Sequence, residues 1–556
     1  MDATRVPPDV RRVVLRVFTR KHHLQLRSDA VVFVYDTLAD HNLLEDEAAT
    51  LEAIEALASA VVEQHVASGD VPGFDGLVVT RDALQHVYDQ LLVQGESSSA
   101  AAVTQGDAPD PERFFSIVDA FAQPRVVYDH SRRVFERAGT PHVLSAANAS
   151  SASLRERYEM LRNVVLRNEH FAPKLVPGSQ SMLKLATTKD LLGRQGENCL
   201  LFGRLSTTAD GRYALEDAEG SIPLELQDAV PGEGIFTEGA MVLVEGVYTD
   251  TESLRVLAIG HPPSESREAA QRMYGHVDFC GTGALAPKSI PALRAYEAQH
   301  SDQCISVFSD VHLDHEKSIA QLHAILQGYD RAGFIPFAVV LCGNFCSPAV
   351  AETDGEQFER YKNAFARLAD VLVQFPRVLA SCHFVFVPGP ADPVATPLCP
   401  RPRIPAPLVE RFERRLPRSF VESRLHWASN PCRIVYFSQE IVVFRDDIMS
   451  RMLRSAVQLG PVRDRDLHKY LVSTLLDQAN LSPLPHQVRP VLWEHGHALR
   501  LYPMPSALVL ADRCEHYELT YEGCHVFNPG PFRGGLFSWT TYYPATGHAE
   551  RSELSV

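Results

Sequence analysis

The sequence holds no C-x-x-C pair among its ten cysteines; Cys342 and Cys346, the nearest two, flank the end of a predicted strand. That absence argues against a zinc ribbon or a dithiol redox site and leaves buried free thiols in a reducing compartment. No apolar run approaches bilayer-spanning length, and the opening MDATRVPPDVRR lacks a signal-peptide core, so an intracellular chain without membrane contact is expected. Positive charge is also scarce. Lys and Arg number 53 against 69 Asp and Glu, a formal net charge of -16, which argues against a broad phosphate-binding face but is compatible with a local basic patch. There is no G-x-S-x-G elbow, no G-x-x-x-x-G-K-[ST] loop, and no cysteine placed beside an activating histidine.

What is present is 556 residues, 45% hydrophobic, room for roughly three or four domains. Residues 1–92 read as wholly helical. Val10, Val13, Val14, Val17 and Phe18 form one stripe, Ser28 caps a second, Leu51, Ile54, Leu57, Val61 and Val62 mark a third, and Thr80 caps a fourth that runs through Leu92. Residues 93–112, around GESSSAAAVTQGDAPDPE, are too poor in large apolar side chains to fold and read as a flexible tether. Residues 113–175 form a mixed connector. Within 176–265, five short β-rich runs (Cys199 to Leu205, Arg212 to Asp217, Ser221 to Leu226, Met241 to Thr249, Ser253 to His261) suggest an OB-type barrel. Its Phe202, Tyr213 and Tyr248 stand among acidic side chains, which favours a scaffold over a single-strand binder.

Residues 266–556 read as an α/β domain organised around Cys304 to Pro348. An apolar run, Ile305 to Phe308, ends in Ser309-Asp310-Val311-His312, and a second, Phe337 to Cys342, ends in Gly343-Asn344. Between them Ile319, Leu322, His323, Ile325 and Leu326 recur at helical spacing. The pattern is a βαβ unit whose polar residues emerge at the carboxyl ends of parallel strands, where α/β sheets place their sites. A strand is expected at His383 to Val387, a pair at Cys432 to Phe437 and Glu440 to Phe444, and another at Ala507 to Leu510. The final hundred residues should close a second sheet layer. The proline-rich basic stretch CPRPRIPAPLVERFERRLPRS reads as solvated surface or a partner contact, and His495-Gly496-His497 as a surface or loop pair.

The D-x-H at one strand end and G-N, in place of G-D, at the next resemble the opening of calcineurin-type metallophosphoesterases, where a bridging Asp with His and carboxylate ligands holds two divalent metals. Across the whole chain, SDVHLD, CGNF, VPGPADP, ASNPCRIVYFSQEIVVFRDD, RLYPMPSALVLAD and FNPGPF stand in an order that resembles the B-subunits of replicative DNA polymerases, the epsilon branch above all. Asn430 to Ile434 with Ser438 to Ile441 is the most specific block; IVDAFAQPRVVYDHSRRVF and RERYEMLRNVVLRNEHF support it outside the α/β domain. The resemblance implies a degenerate calcineurin-like phosphoesterase α/β sandwich joined to an OB-fold barrel and a tethered N-terminal helical domain. It also implies a non-catalytic, nuclear accessory subunit in DNA replication. Its partners would be the C-terminal zinc-binding region of the polymerase epsilon catalytic subunit, the GINS part of the replicative helicase through residues 1–92, and the small histone-fold subunits of the holoenzyme, with DNA contacted indirectly.

The motif positions bear on the chemistry separately. Asp310 and His312 persist, but Asn344 stands where a bridging Asp belongs, and a neutral amide bridges two cations poorly. After Gly389 come Pro390 and Ala391 instead of Asn-His, although Asp392 remains; Asn430-Pro431-Cys432 and Ala511-Asp512-Arg513-Cys514 replace two further histidine motifs. Two or three ligands survive of about six or seven that a dinuclear site needs. Asp310, His312, Asn344 and Asp392 are therefore expected as remnants, with no catalytic, cofactor or metal residue. Asp310 would accept backbone N–H groups of the loop that follows it, and His312 would be a satisfied loop histidine. The alternatives are an active metal-dependent phosphodiesterase or nuclease, and the B-subunit of another replicative polymerase.

Overall fold

The computed structural model describes residues 6–554 except 22–23, 41–49, 51–52, 56, 59, 62–73, 76–77, 82, 86, 89–109, 143, 172–182, 348, 351–354, 394–395, 397, 462–466 and 534–535. The chain divides into two units, Met1–Gly106 and Asp107–Val556.

In the first unit the helices Pro8–Arg16 and Ser28–Asp40 bury Val14, Val34 and Leu38 against Ile54, Ala58 and Val61 of a third helical stretch and Leu84 and Val87 of a fourth. Thr80 opens that fourth stretch, its Oγ1 accepting the Ala83 N–H at 3.5 Å. The wholly helical expectation is corrected. Gln25–Leu26, Phe74–Asp75 and Val78–Val79 form a three-stranded sheet in which Gln25–Leu26 lies parallel to Val78–Val79. Strands of two residues carry no alternation for a period-2 reading to find. Leu51, Val62, Leu92 and positions 93–109 of the tether lie outside the described residues.

In the second unit five strands, Asn198–Thr207, Tyr213–Glu216, Ser221–Glu225, Met241–Tyr248 and Leu254–Gly260, form the OB barrel, closed where Leu224 pairs with Leu254. Phe202 and Tyr248 point into packed interior, Phe202 stacking on Tyr158 at 5.4 Å, so of the three aromatics only Tyr213 is exposed. The barrel is stitched to the rest of the unit by the Gln478 amide, which donates to Met241 O at 2.6 Å and accepts the Met241 N–H at 2.7 Å, and by a ladder between Ile235–Thr237 and Ala456–Leu459.

The α/β region has two six-stranded sheets. In the first, Leu425–Trp427, His383–Val387, Ala338–Cys342 and Ile305–Ser309 run parallel, and Ser538–Tyr543 and His548–Glu553 continue it antiparallel. The central three are buried at every position, which is why they read as unbroken apolar runs. The second sheet is ordered Tyr517–Tyr521, Cys524–Asn528, Ala507–Ala511, Gln439–Arg445, Cys432–Tyr436, Phe115–Asp119. Val307, Val340 and Val385 of the first sheet meet Ile434, Val443 and Val509 of the second in a dry layer between them. Helices Glu316–Ala332 and Gly355–Leu372 cover the outer face of the first sheet, and Ile448–Arg454 and Leu467–Asp477 that of the second, giving four layers.

Three expectations change here. The last hundred residues do not all join the second layer, since Ser538–Tyr543 and His548–Glu553 return to the first sheet. The supposed connector supplies an edge strand, Phe115–Asp119, beside Cys432–Tyr436. The proline-rich stretch turns inward: Arg401 is buried and donates to Pro390 O, and Leu408, Val409 and Phe412 of the helix Ala406–Glu413 lie in the core. A 3.6-residue apolar pattern hidden among arginines decides this.

Candidate functional site

The carboxyl ends of Ile305–Ser309, Ala338–Cys342 and His383–Val387 converge with those of Gln439–Arg445 and Ala507–Ala511. Asp310 follows the first strand directly, in the left-handed region at φ 50°, and His312 repeats it at φ 46°. That backbone is uncommon for residues with a Cβ and holds the Asp310 carboxyl under the neighbouring loops. Asp310 is 2% exposed. Its Oδ1 accepts the Asn344 backbone N–H at 3.0 Å and the Asn344 side-chain amide at 2.9 Å. The donor is thus the loop after the next strand, not the one that follows Asp310 as expected.

The larger partner is Arg445, which sequence reasoning missed. Its side chain is wholly buried, and one terminal nitrogen donates to both Asp310 oxygens at 2.9 and 3.1 Å. The other donates to Asp447 at 2.9 Å and to Ala511 O at 3.1 Å, and Nε donates to Gly343 O. All three nitrogens of the guanidinium are engaged, and it joins both sheets. Burial pushes the Asp310 carboxyl up, but the Arg445 charge and the hydrogen bonds outweigh it and hold the group below its ordinary value. A signal for Arg445 was present: it ends an apolar strand, Ile441 to Phe444, at the edge where polar residues collect.

The other predicted residues are brought together with this pair, but their oxygens are engaged. Asn344 Oδ1 accepts the Ala391 N–H at 2.8 Å. Asp392 accepts the N–H groups of Gly389 at 2.7 Å and Phe345 at 2.9 Å, and the Tyr361 hydroxyl at 3.3 Å. Burial raises its carboxyl to about 6 against those donors. The fit leaves no room at Gly343, where an added Cβ would stand 1.9 Å from Asp392 Oδ2. His312 is not the satisfied histidine expected, because its Nε2 is buried without a hydrogen-bond partner, 3.8 Å from Asp310. Burial lowers its basicity against the pull of Asp310. Among the described residues no group of three or more His, Cys, Asp and Glu is arranged to hold a metal ion.

The positions expected to stand in for histidine motifs have structural partners. Asn430 donates to Pro388 O at 2.8 Å and to Arg445 O, and accepts the Arg445 N–H at 3.1 Å, stapling one sheet to the other. Asp512 accepts the Met449 N–H at 2.8 Å at the start of Ile448–Arg454. His495 and His497, expected as a surface or loop pair, are buried in the short helix Trp493–Leu499, His497 Nε2 lying 3.1 Å from Gln123 O. In the most specific sequence block, Arg433 and Glu440 are a buried ion pair on adjacent strands, joined by Arg267 at 3.3 Å from Glu440.

Known proteins match this chain over its length. Residues 305–519 match the B-subunit family of DNA polymerases alpha and epsilon, and 147–263 the OB-fold domain described as DNA polymerase epsilon subunit 2-like. The DNA polymerase epsilon B-subunit of Schizosaccharomyces pombe is 35% identical over 456 residues, 78% of this chain and 75% of the relative. The DNA polymerase epsilon subunit 2 of Bos taurus is 32% identical and that of Homo sapiens 31% identical, each over 543 residues and 96% of both chains. With the barrel, the paired sheets and matches of this extent, the chain belongs to the DNA polymerase epsilon B-subunit family.

Proposed function

We propose that this chain is the non-catalytic accessory subunit of a nuclear DNA polymerase epsilon, with the barrel of residues 176–265 and the degenerate calcineurin-like phosphoesterase domain of residues 266–556 together binding the C-terminal zinc-binding region of the catalytic subunit. In this reading the N-terminal unit, residues 1–92, reaches the GINS part of the replicative helicase, and the histone-fold subunits join through the holoenzyme. The observation that carries the inert reading is the Arg445 guanidinium seated on Asp310. A phosphoesterase would need that carboxylate free as a metal ligand, and here an internal cation and two amide donors engage it. With Asn344 and Asp392 also engaged, the donor set does not fit a metal pair, and no hydrolytic step runs through it.

The test is co-expression with the C-terminal half of a polymerase epsilon catalytic subunit followed by size exclusion. Co-elution at one-to-one stoichiometry is expected; a well-folded chain that runs alone would overturn the accessory reading. Incubating the purified chain with Mn²⁺ and labelled single-stranded DNA tests the inert site, and cleavage that disappears in Asp310→Asn would refute it.

A further inference from the structure

Beside the Asp310–Arg445 pair lies a cleft whose cations exceed what its carboxylates can neutralise. A cavity of about 660 Å³ opens between the helix Ile448–Arg454 and the loop Asp512–Cys514, and Asp447, Asp512, Arg451, Arg454 and Arg513 line it. Its two carboxylates are committed elsewhere: Asp447 accepts from Arg445 at 2.9 Å, and the Asp512 oxygens accept the N–H groups of Met449 and Arg513 at 2.8 and 2.6 Å. Arg451 leans on Asp446 at 3.4 Å. Arg454 and Arg513 remain. The Arg454 Nε donates to Ser450 O of its own helix at 3.1 Å, and the Arg513 Nε stands 3.7 Å from Asp447 and 3.9 Å from Asp310, beyond hydrogen-bond reach of either. His312 Nε2, buried and unpartnered, approaches Asp310 at 3.8 Å, so it borders the same strand-end carboxylate as Arg513.

In a chain of net charge -16, Arg454, with no carboxylate at ion-pair distance among the described residues, and Arg513, which only approaches Asp447 and Asp310 at 3.7 and 3.9 Å without a hydrogen bond to either, put positive charge beside one cavity. We propose that this cleft binds a compact anion of the phosphate class, held by Arg454 and Arg513. Each guanidinium presents a planar fork of donors that matches phosphate oxygens two at a time. Two such forks balance a dianion, whereas a single carboxylate would neutralise one of them. The short helix Ile448–Arg454 supplies no N-terminal site, because Asp512 already takes its Met449 N–H. The ligand is held and not hydrolysed, and the cavity is large enough for a nucleotide to enter behind its terminal phosphate. The inference does not rest on the assembly proposed above.

Isothermal titration of the full chain with inorganic phosphate, and in parallel with a deoxynucleoside triphosphate, tests it. Saturable binding at one site per chain is expected. Arg454→Gln and Arg513→Gln should each weaken it about tenfold or more, because each removes charge-assisted hydrogen bonds. Arg418→Gln, at an exposed pair with Glu422, should leave it unchanged. Both arginines are exposed, so the variants are expected to unfold at the wild-type midpoint. Equal affinity for the two ligands identifies free phosphate as the source, and tighter triphosphate binding identifies a nucleotide. No saturation up to about 10 mM, an affinity too weak for a built site, overturns the proposal. So does binding that survives in the double variant.

Discussion

Replacing Arg445 with methionine should be among the most costly single changes in the second unit, and the cost should depend on pH in a set direction. The side chain is 0% exposed and Asp310 3%, so deletion of the guanidinium strands a buried carboxylate and leaves the carbonyls of Gly343 and Ala511 without their donor. Breaking a buried pair from one side costs about 3–5 kcal/mol. Asp310→Asn on the Arg445→Met background removes the stranded charge and should return about 2–3 kcal/mol of that as coupling. The three tryptophans, Trp427, Trp493 and Trp539, all lie in the second unit, so urea unfolding followed by tryptophan fluorescence reports this unit without the first. In the wild type the folded-state carboxyl of Asp310 is depressed, so its contribution is present above the ordinary value of 3.8 and is lost as pH falls through the folded value. Without Arg445, burial is opposed only by the Asn344 donors and His312 and should raise the carboxyl; acid then protonates it and relieves the strain of burial. The gap between wild type and variant should therefore be widest near neutrality and narrow below about pH 5. A cost under about 1 kcal/mol, additive single and double variants, or a gap independent of pH would each refute the view that Arg445 neutralises Asp310.

Gly343→Ala should lose about 3 kcal/mol or more, read as a lower urea midpoint, because the new Cβ would press on Asp392 Oδ2 at 1.9 Å and on the Gly389 nitrogen at 2.4 Å, which cannot both retreat. Burial raises the Asp477 carboxyl to about 7 against its bond from Tyr521 at 2.9 Å; a raised group gives stability at low pH that is lost as pH rises through the folded value, so Asp477→Asn should gain on wild type between about pH 4 and 7, and a parallel pair of stability curves would contradict this. Polymerase complexes assembled with Asp310→Asn should synthesise DNA at the wild-type rate; a collapse of synthesis in an intact complex would restore a catalytic role. Deleting residues 1–92 should spare capture by the catalytic subunit in a pull-down and abolish capture by GINS, and the reverse pattern would overturn the assignment of the two units.

The parallel strands were legible because burial on both faces writes them as apolar runs: Ile305 to Phe308 and Phe337 to Cys342 announce a βαβ unit and place Asp310 and Asn344 at its rim. The barrel was legible for the complementary reason, since turns of Gly, Asp and Pro punctuate five short strands. What escaped the sequence was pairing at a distance. Whether Phe115–Asp119 is a connector or an edge strand depends on Cys432–Tyr436, far along the chain, and nothing local records that ladder. The two-residue strands of the first unit are invisible to periodicity for want of length. At the site, Asp310 was readable at a strand end, but its partner was not: Arg445 lies 135 residues from Asp310 in the chain, and an arginine closing a strand carries no mark of its partner. A carboxylate buried at a strand end is costly unless a cation pairs with it, and Arg445 is that cation. Asp310 is therefore accounted for structurally, as half of an ion pair that fastens the ends of both sheets.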